Sequence, residues 1–292
     1  MTTPEPRFPP ELLQRVGPQR VFAGGQASEV AFPLGGLGTG TVSLGGRGNL
    51  RDFEIFGRSA KGSVLPFTFF ALWAQPEGGP AVARILEGQV PPPYRSGFGE
   101  PQQELKGVAR FAAASFTAEY PVAMLTLADP AVPVAVELTA WNPFIPQNVA
   151  DSALPVAIFE WRLTNPGPTP VAVSLAASIK NPLQATVEGK ATAAGSTNEH
   201  RAEEALSGLF LLHPGADPTD PSTGTLALAT TWADTEVQTR WYRGGWWDMC
   251  HLFWDRFAAS GRLQAVTDTQ PAGQNPDVCS LALHATIPPG GR

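Results

Sequence analysis

The sequence predicts an all-β fold, a large antiparallel β-sandwich with one short helix near the C-terminus. Three observations predict it. Glycine and proline number 30 each among 292 residues, too frequent for a helical bundle or a coiled coil. From residue 30 onward, short apolar or alternating runs are separated by Gly, Pro, Asn and Asp, the pattern of strands and turns. The 16 Phe and 8 Trp supply core material that a disordered chain lacks. Residues 1–29 are expected to be an extended lead-in and residues 30–292 one sandwich domain, since neither a fixed-period repeat nor a flexible linker divides the chain.

Residues 11–15 fit one helical turn within the lead-in. Residues 41–44 and 50–56 flank Gly45-Gly46-Arg47-Gly48-Asn49, which predicts a hairpin, with Phe53 in a central strand. Residues 67–75 are almost wholly apolar and predict an inner strand. Strands follow at 132–138 and 156–163, and Asn165-Pro166-Gly167-Pro168 stops the second. Over 171–179, Val171, Val173 and Leu175 alternate with Ala172 and Ser174. Connections this short require antiparallel neighbours. The polar, alanine-rich stretch 185–205 predicts a loop with a little helix, and strands resume at 209–212, 225–231 and 237–242. One helix is expected after an Asp248 cap, burying Met249, Leu252, Phe253 and Phe257 and stopping at Gly261.

Several function classes are disfavoured. The net charge is −6 and the 20 Lys and Arg form no basic run, so nucleic acid is not an expected partner. Two cysteines, Cys250 and Cys279, build no disulfide framework. The N-terminus shows no signal-peptide apolar stretch and no run of 18 apolar residues occurs, so no membrane span is expected and the expected compartment is cytoplasmic. His200, His213, His251 and His284 share no ligand spacing, so neither a metal nor a cofactor is expected. The run Gly35-Gly36-Leu37-Gly38-Thr39-Gly40 fits no dinucleotide fingerprint, and the glycines that a phosphate loop needs are absent before Lys61-Gly62-Ser63. Tight turns and close backbone packing account for these glycines.

Two groups of residues are candidates for a site. Trp241, Tyr242, Trp246, Trp247, Phe253 and Trp254 fall within 14 residues. Trp241, Trp246 and Trp247 would form a sugar-stacking platform if they face solvent, or anchor the helix to the sheet if buried. Asp52 and Glu54, at the two-residue period of one strand face, lie beside Arg51 and Arg58. This charge pairing suits a structural ion network better than a general acid.

The string Phe32-Pro33-Leu34-Gly35-Gly36-Leu37-Gly38-Thr39-Gly40, continuing through Gly46-Arg47-Gly48-Asn49-Leu50-Arg51-Asp52-Phe53-Glu54-Ile55-Phe56 to Lys61-Gly62, resembles the N-terminal domain of glycoside hydrolase family 116. Trp141-Asn142-Pro143-Phe144-Ile145-Pro146, Asp151-Ser152-Ala153-Leu154-Pro155 and Arg162-Leu163-Thr164-Asn165-Pro166 extend the resemblance, as does Phe253-Trp254 with Phe257. It departs at Phe53, where tryptophan is expected, and at Gly57-Arg58-Ser59-Ala60. The family contains bacterial β-glucosidases and non-lysosomal glucosylceramidases. The resemblance implies that a segment after Pro288-Pro289-Gly290 leads into a helical (α/α)₆ barrel bearing the nucleophile glutamate and the acid/base aspartate. No position of this chain matches those residues, so none is carried over.

The resemblance thus implies a non-catalytic sandwich domain that packs on the barrel, in cis or as a separate chain, and shapes a β-glucoside pocket. Arg51, Asp52, Glu54 and Arg58 are its candidate partner contacts. The alternative is a stand-alone carbohydrate-binding module using the tryptophans. Without the barrel, an uncovered sheet edge and apolar surface are expected to drive self-association.

Overall fold

The structure, a computed structural model, describes residues 11, 17–90, 105, 107–244 and 248–292. In chain order the strands begin with β1 (Val21–Ala23), β2 (Ala31–Leu34), β3 (Thr41–Gly45), β4 (Leu50–Glu54), β5 (Phe69–Pro76) and β6 (Val82–Gly88). Next come β7 (Arg110–Phe111), β8 (Ala113–Glu119), β9 (Val122–Ala128), β10 (Ala135–Trp141), the short helix α1 (Val149–Ser152), β11 (Ile158–Thr164) and β12 (Val171–Lys180). Then follow β13 (Ala185–Val187), β14 (Lys190–Thr192), β15 (Thr197–Glu203), β16 (Leu206–Leu212), β17 (Leu226–Thr230) and β18 (Thr235–Gln238). Helix α2 (Asp248–Ser260) and β19 (Val278–Ile287) complete the chain.

A five-stranded sheet, β1-β8-β9-β10-β11, packs on a six-stranded sheet, β18-β19-β12-β5-β6-β7. The five-stranded sheet obeys simple alternation. Ala123, Leu125 and Leu127 of β9 and Val136, Leu138 and Ala140 of β10 point inward, and the residues between them are exposed or half-exposed.

The six-stranded sheet is covered on both faces, which is why its central strands are apolar almost without interruption. Phe70, Leu72 and Ala74 of β5 enter the core between the sheets, while Phe69, Ala71 and Trp73 enter a second core under α2. Its neighbour β12 divides the same way, with Val173, Leu175 and Ala177 on one face and Ala176 on the other. Small residues on the helix side, including Ala71, Ala176 and Ala282, make room for rings. Phe253 stacks on Trp241 with centroids 4.2 Å apart and an interplanar angle of 13°. A third core, containing Ile179, Leu209, Leu211 and Leu281, lies under the small sheet β15-β16-β17.

The predicted antiparallel sandwich and C-terminal helix are present, with local differences. Residues 185–205 contain strands β13 to β15 instead of a loop with helix; β15 escapes the apolar pattern because most of its side chains face water. Leu252 is 50% exposed, and the buried positions of α2 are Cys250, Phe253 and Phe257. Phe53 is half-buried at a sheet irregularity, away from the middle of either large sheet. Strands β6 and β7 pair in parallel, the exception among the strand pairs of the described residues. The helix does stop at Gly261, with φ +68° and an N–H bonded to the Phe257 carbonyl at 2.7 Å. A Cβ there would sit 2.8 Å from Ser174 Oγ and from the Trp73 ring, so both conformation and space require glycine.

Buried polar groups tie these layers together. Glu87 is wholly enclosed; burial raises its pKa, but Arg47 and Arg110 outweigh that and hold it below the ordinary carboxylate range. Asn165 fastens the last residues of the chain. Its N–H bonds the Gly291 carbonyl, its carbonyl takes the Gly290 N–H, and its side-chain amide reaches the Ile287 and Pro288 carbonyls. His284 is buried with Nδ1 2.8 Å from Ser174 Oγ and Nε2 3.4 Å from Glu236 Oε2. Burial lowers its pKa first and Arg262 adds to this, while Glu236 and Asp234 partly oppose them.

Two outcomes follow for stability. Phe257, fully buried in the second core, should cost about 3–5 kcal/mol on substitution by alanine, and half-buried Phe53 clearly less; reversible urea melts of both variants test the ranking. Because His284 binds its proton less readily when folded, the unfolded chain takes it up first as pH falls. Stability due to this group is therefore complete above about pH 6.5 and declines below it, towards the lowered native value. Urea midpoints between pH 7.5 and 5 should show that decline, reduced in His284→Asn; an unchanged slope would mean that His284 does not titrate.

Candidate functional site

The sequence places Asp52 and Glu54 on one strand face, but the backbone breaks that alternation. Thr41 pairs with Glu54 and Ser43 with Arg51, so Asp52 and Phe53 together oppose Val42 in a β-bulge. Asp52 adopts φ +52°, a left-handed conformation that aspartate tolerates better than most residues, and its side chain turns inside. There Oδ1 accepts the Gly62 N–H at 2.7 Å and lies 3.5 Å from Arg51 Nε, while the Asp52 N–H donates to the Ser63 carbonyl at 3.0 Å. Glu54 binds Lys61 at 2.6 Å, and this hydrogen bond raises the lysine pKa. Arg58 donates to the Ser222 carbonyl at 2.7 Å, linking the turn to a second loop. Both carboxylates thus fasten the segment 55–63.

The glycine run lies against this segment on one side and the β10–β11 connection on the other. A Cβ on Gly40 would approach the Glu54 carbonyl to 2.9 Å, and one on Gly36 the Ala153 and Leu154 carbonyls to 2.5 Å. The Leu37 N–H donates to the Ser152 carbonyl at 2.8 Å. Ser152 Oγ in turn donates to the Ile145 carbonyl at 3.0 Å and accepts the Ile145 N–H at 2.9 Å. Asn148 caps α1 by accepting the Asp151 N–H. Tyr120, in the β8–β9 turn, packs edge-on against Phe144 with centroids 5.2 Å apart. Segments far apart in sequence therefore meet at one end of the five-stranded sheet.

That end is apolar on the outside. Leu37, Ile145, Val149, Leu154 and Val156 are all exposed, Val149 by 72%, and Tyr120 and Val122 stand beside them on β9 and its turn. They make up seven of the 15 large exposed apolar side chains among the described residues. No single residue pattern in the sequence gathers them; only the pairing of the glycine run with Ser152 does.

The aromatic candidates fare differently. Trp241 is 2% exposed, sandwiched by Phe67, Phe69 and Phe253, with its indole N–H bonded to Ser280 Oγ at 2.7 Å. It has no free face for a sugar, which corrects its place in a stacking platform; it anchors α2 to the sheet. Trp246 and Trp247 lie outside the described residues. Both thiols are buried, and burial pushes the Cys250 pKa up to about 12. No three metal-ligating side chains converge among the described residues, and no helix there is long and apolar enough to cross a membrane.

The class that the fold defines is an antiparallel β-sandwich with one short helix near its C-terminus. Residues 31–292 match the family described as beta-glucosidase 2, glycosyl-hydrolase family 116 N-term. The chain belongs to that family, as its N-terminal domain.

The bulge makes a local test. Asp52→Ala should destabilise the domain by about 1–3 kcal/mol, through the lost Gly62 contact and an alanine forced to positive φ, whereas Asp52→Asn should retain most of that stability. Hydrogen exchange at residues 60–64 should quicken in the alanine variant.

Proposed function

We propose that the chain acts as the non-catalytic N-terminal domain of a retaining β-glycosidase of the glucosidase or glucosylceramidase type, working in the cytoplasm. It would pack on the helical catalytic domain and support the rim of its glycoside pocket. The observation that best supports this reading is the use of the family motif's carboxylates: Asp52 and Glu54 hold the segment 55–63 instead of facing each other across a cleft. A retaining site needs two carboxyls about 5 Å apart on either side of a sugar bond, and that chemistry would belong to the catalytic domain. Arg51, Asp52, Glu54 and Arg58 would then act by fixing the loops that meet the partner. The purified chain should not hydrolyse 4-nitrophenyl β-glucoside. Turnover that is abolished by replacing one of its carboxylates would overturn the reading.

A further inference from the structure

We propose that Lys180 is a nucleophilic amine, a modification site that small acyl donors of the acyl phosphate class take ahead of Lys61 and Lys190.

Lysine is scarce in this chain, at positions 61, 106, 180 and 190, and the three described lysines stand in different settings. Lys61 is exposed and ion-paired with Glu54 at 2.6 Å. Lys190 is exposed in the β13–β14 hairpin. Lys180 closes β12 and is half-buried. Alternation along β12 puts it on the face of Ala176 and Ser178, and its register partner on β19 is Val278, buried in the core under α2. The backbone there is tied on two sides: the Lys180 N–H donates to Thr68 Oγ1 at 3.2 Å, and the Val278 carbonyl accepts the Trp241 N–H at 2.8 Å.

Among the described residues, no carboxylate balances the Lys180 ammonium. Asp277 precedes Val278, and its carbonyl accepts the Asn181 N–H at 2.9 Å, so it stands close along the chain and across the ladder. Its two carboxylate oxygens are taken by Arg243, at 2.8 and 2.6 Å. Thr68, on the other side, carries no charge. Partial burial without a counter-ion disfavours the charged amine, and the Lys180 pKa is lowered by burial, whereas the Glu54 hydrogen bond raises that of Lys61. A neutral amine keeps the lone pair that an ammonium has given to its proton, which makes a desolvated lysine the better nucleophile near neutrality.

In the reaction the Nζ lone pair attacks the acyl carbon of the donor. The N–C bond forms, the bond from that carbon to the phosphate oxygen breaks, and phosphate leaves with the electron pair while the amine gives its proton to solvent. The amide formed is uncharged, so acylation removes a charge that the fold leaves unbalanced. At Lys61 the same reaction would break the ion pair with Glu54.

The test is acylation of the whole chain by acetyl phosphate, with initial rates at each lysine read by peptide mass spectrometry from pH 7 to 9.5. In the folded chain at pH 7.5, Lys180 should react about fivefold faster than Lys190 or more, and its rate should level off at a lower pH than that of Lys61. In concentrated urea the difference between Lys180 and Lys190 should vanish. Lys180→Arg, which keeps the charge, should remove the label at that position and leave the other two rates unchanged. A folded-state rate at Lys180 equal to or below that of Lys190 would overturn the proposal. So would an advantage that persists in urea, since the local sequence and not the fold would then be its cause.

Discussion

Everything in this domain depends on a sheet that must be buried on both faces. Strands β5 and β12 send alternate side chains into two different cores, so a one-residue slip between them would exchange large and small residues throughout. On the inter-sheet side, Phe70, Leu72, Leu175 and their neighbours fill space against the five-stranded sheet. On the other side, the alanines leave a shallow bed into which Trp241, Phe253 and Phe257 settle. The helix is therefore a lid required by the sheet, and Gly261 ends it where Trp73 and Ser174 leave no space for a side chain.

The loops at the end of the five-stranded sheet owe their arrangement to this frame. With the two sheets fixed, the glycine run has to pass between the turn after β4 and the β10–β11 connection, and only glycine fits at the closest approaches. The Asp52 bulge supplies the matching irregularity on β4. Ion pairs in this region act locally: Arg51 Nε stands 3.5 Å from Asp52 and the Lys61 partner of Glu54 is well exposed, so their value lies in holding loop shape more than in stability.

Much of the fold was legible because burial follows period. The unbroken apolar run at 67–75 and the alternation at 171–179 both lie where the structure has strands. Residues 197–203 escaped notice because β15 turns mostly polar side chains to water, so its pairing leaves no hydrophobic trace. Leu252 fitted helical spacing yet faces outward; the buried side of the 13-residue helix runs through Cys250, Phe253 and Phe257, with Met249 and Trp254 at its margin. At the site, the motif residues were visible but their geometry was not. A single left-handed residue at Asp52 changes which face each acid occupies, and composition cannot reveal it. Likewise, aromatic density around Trp241 says how much ring surface is present, not which side of the sheet receives it.

Asn165 gives the sandwich a mechanical property. Strand β19 belongs to the six-stranded sheet, yet the residues that follow it are bonded to the end of β11, an edge strand of the opposite sheet. A pull on the C-terminal residues is therefore not delivered to β19 alone, where ladder bonds could be peeled apart one after another. It loads the bonds at Asn165 together, and part of the force passes sideways into the second sheet. Asn165, through its backbone and side chain together, is a strain relief between β19 and the residues that follow it.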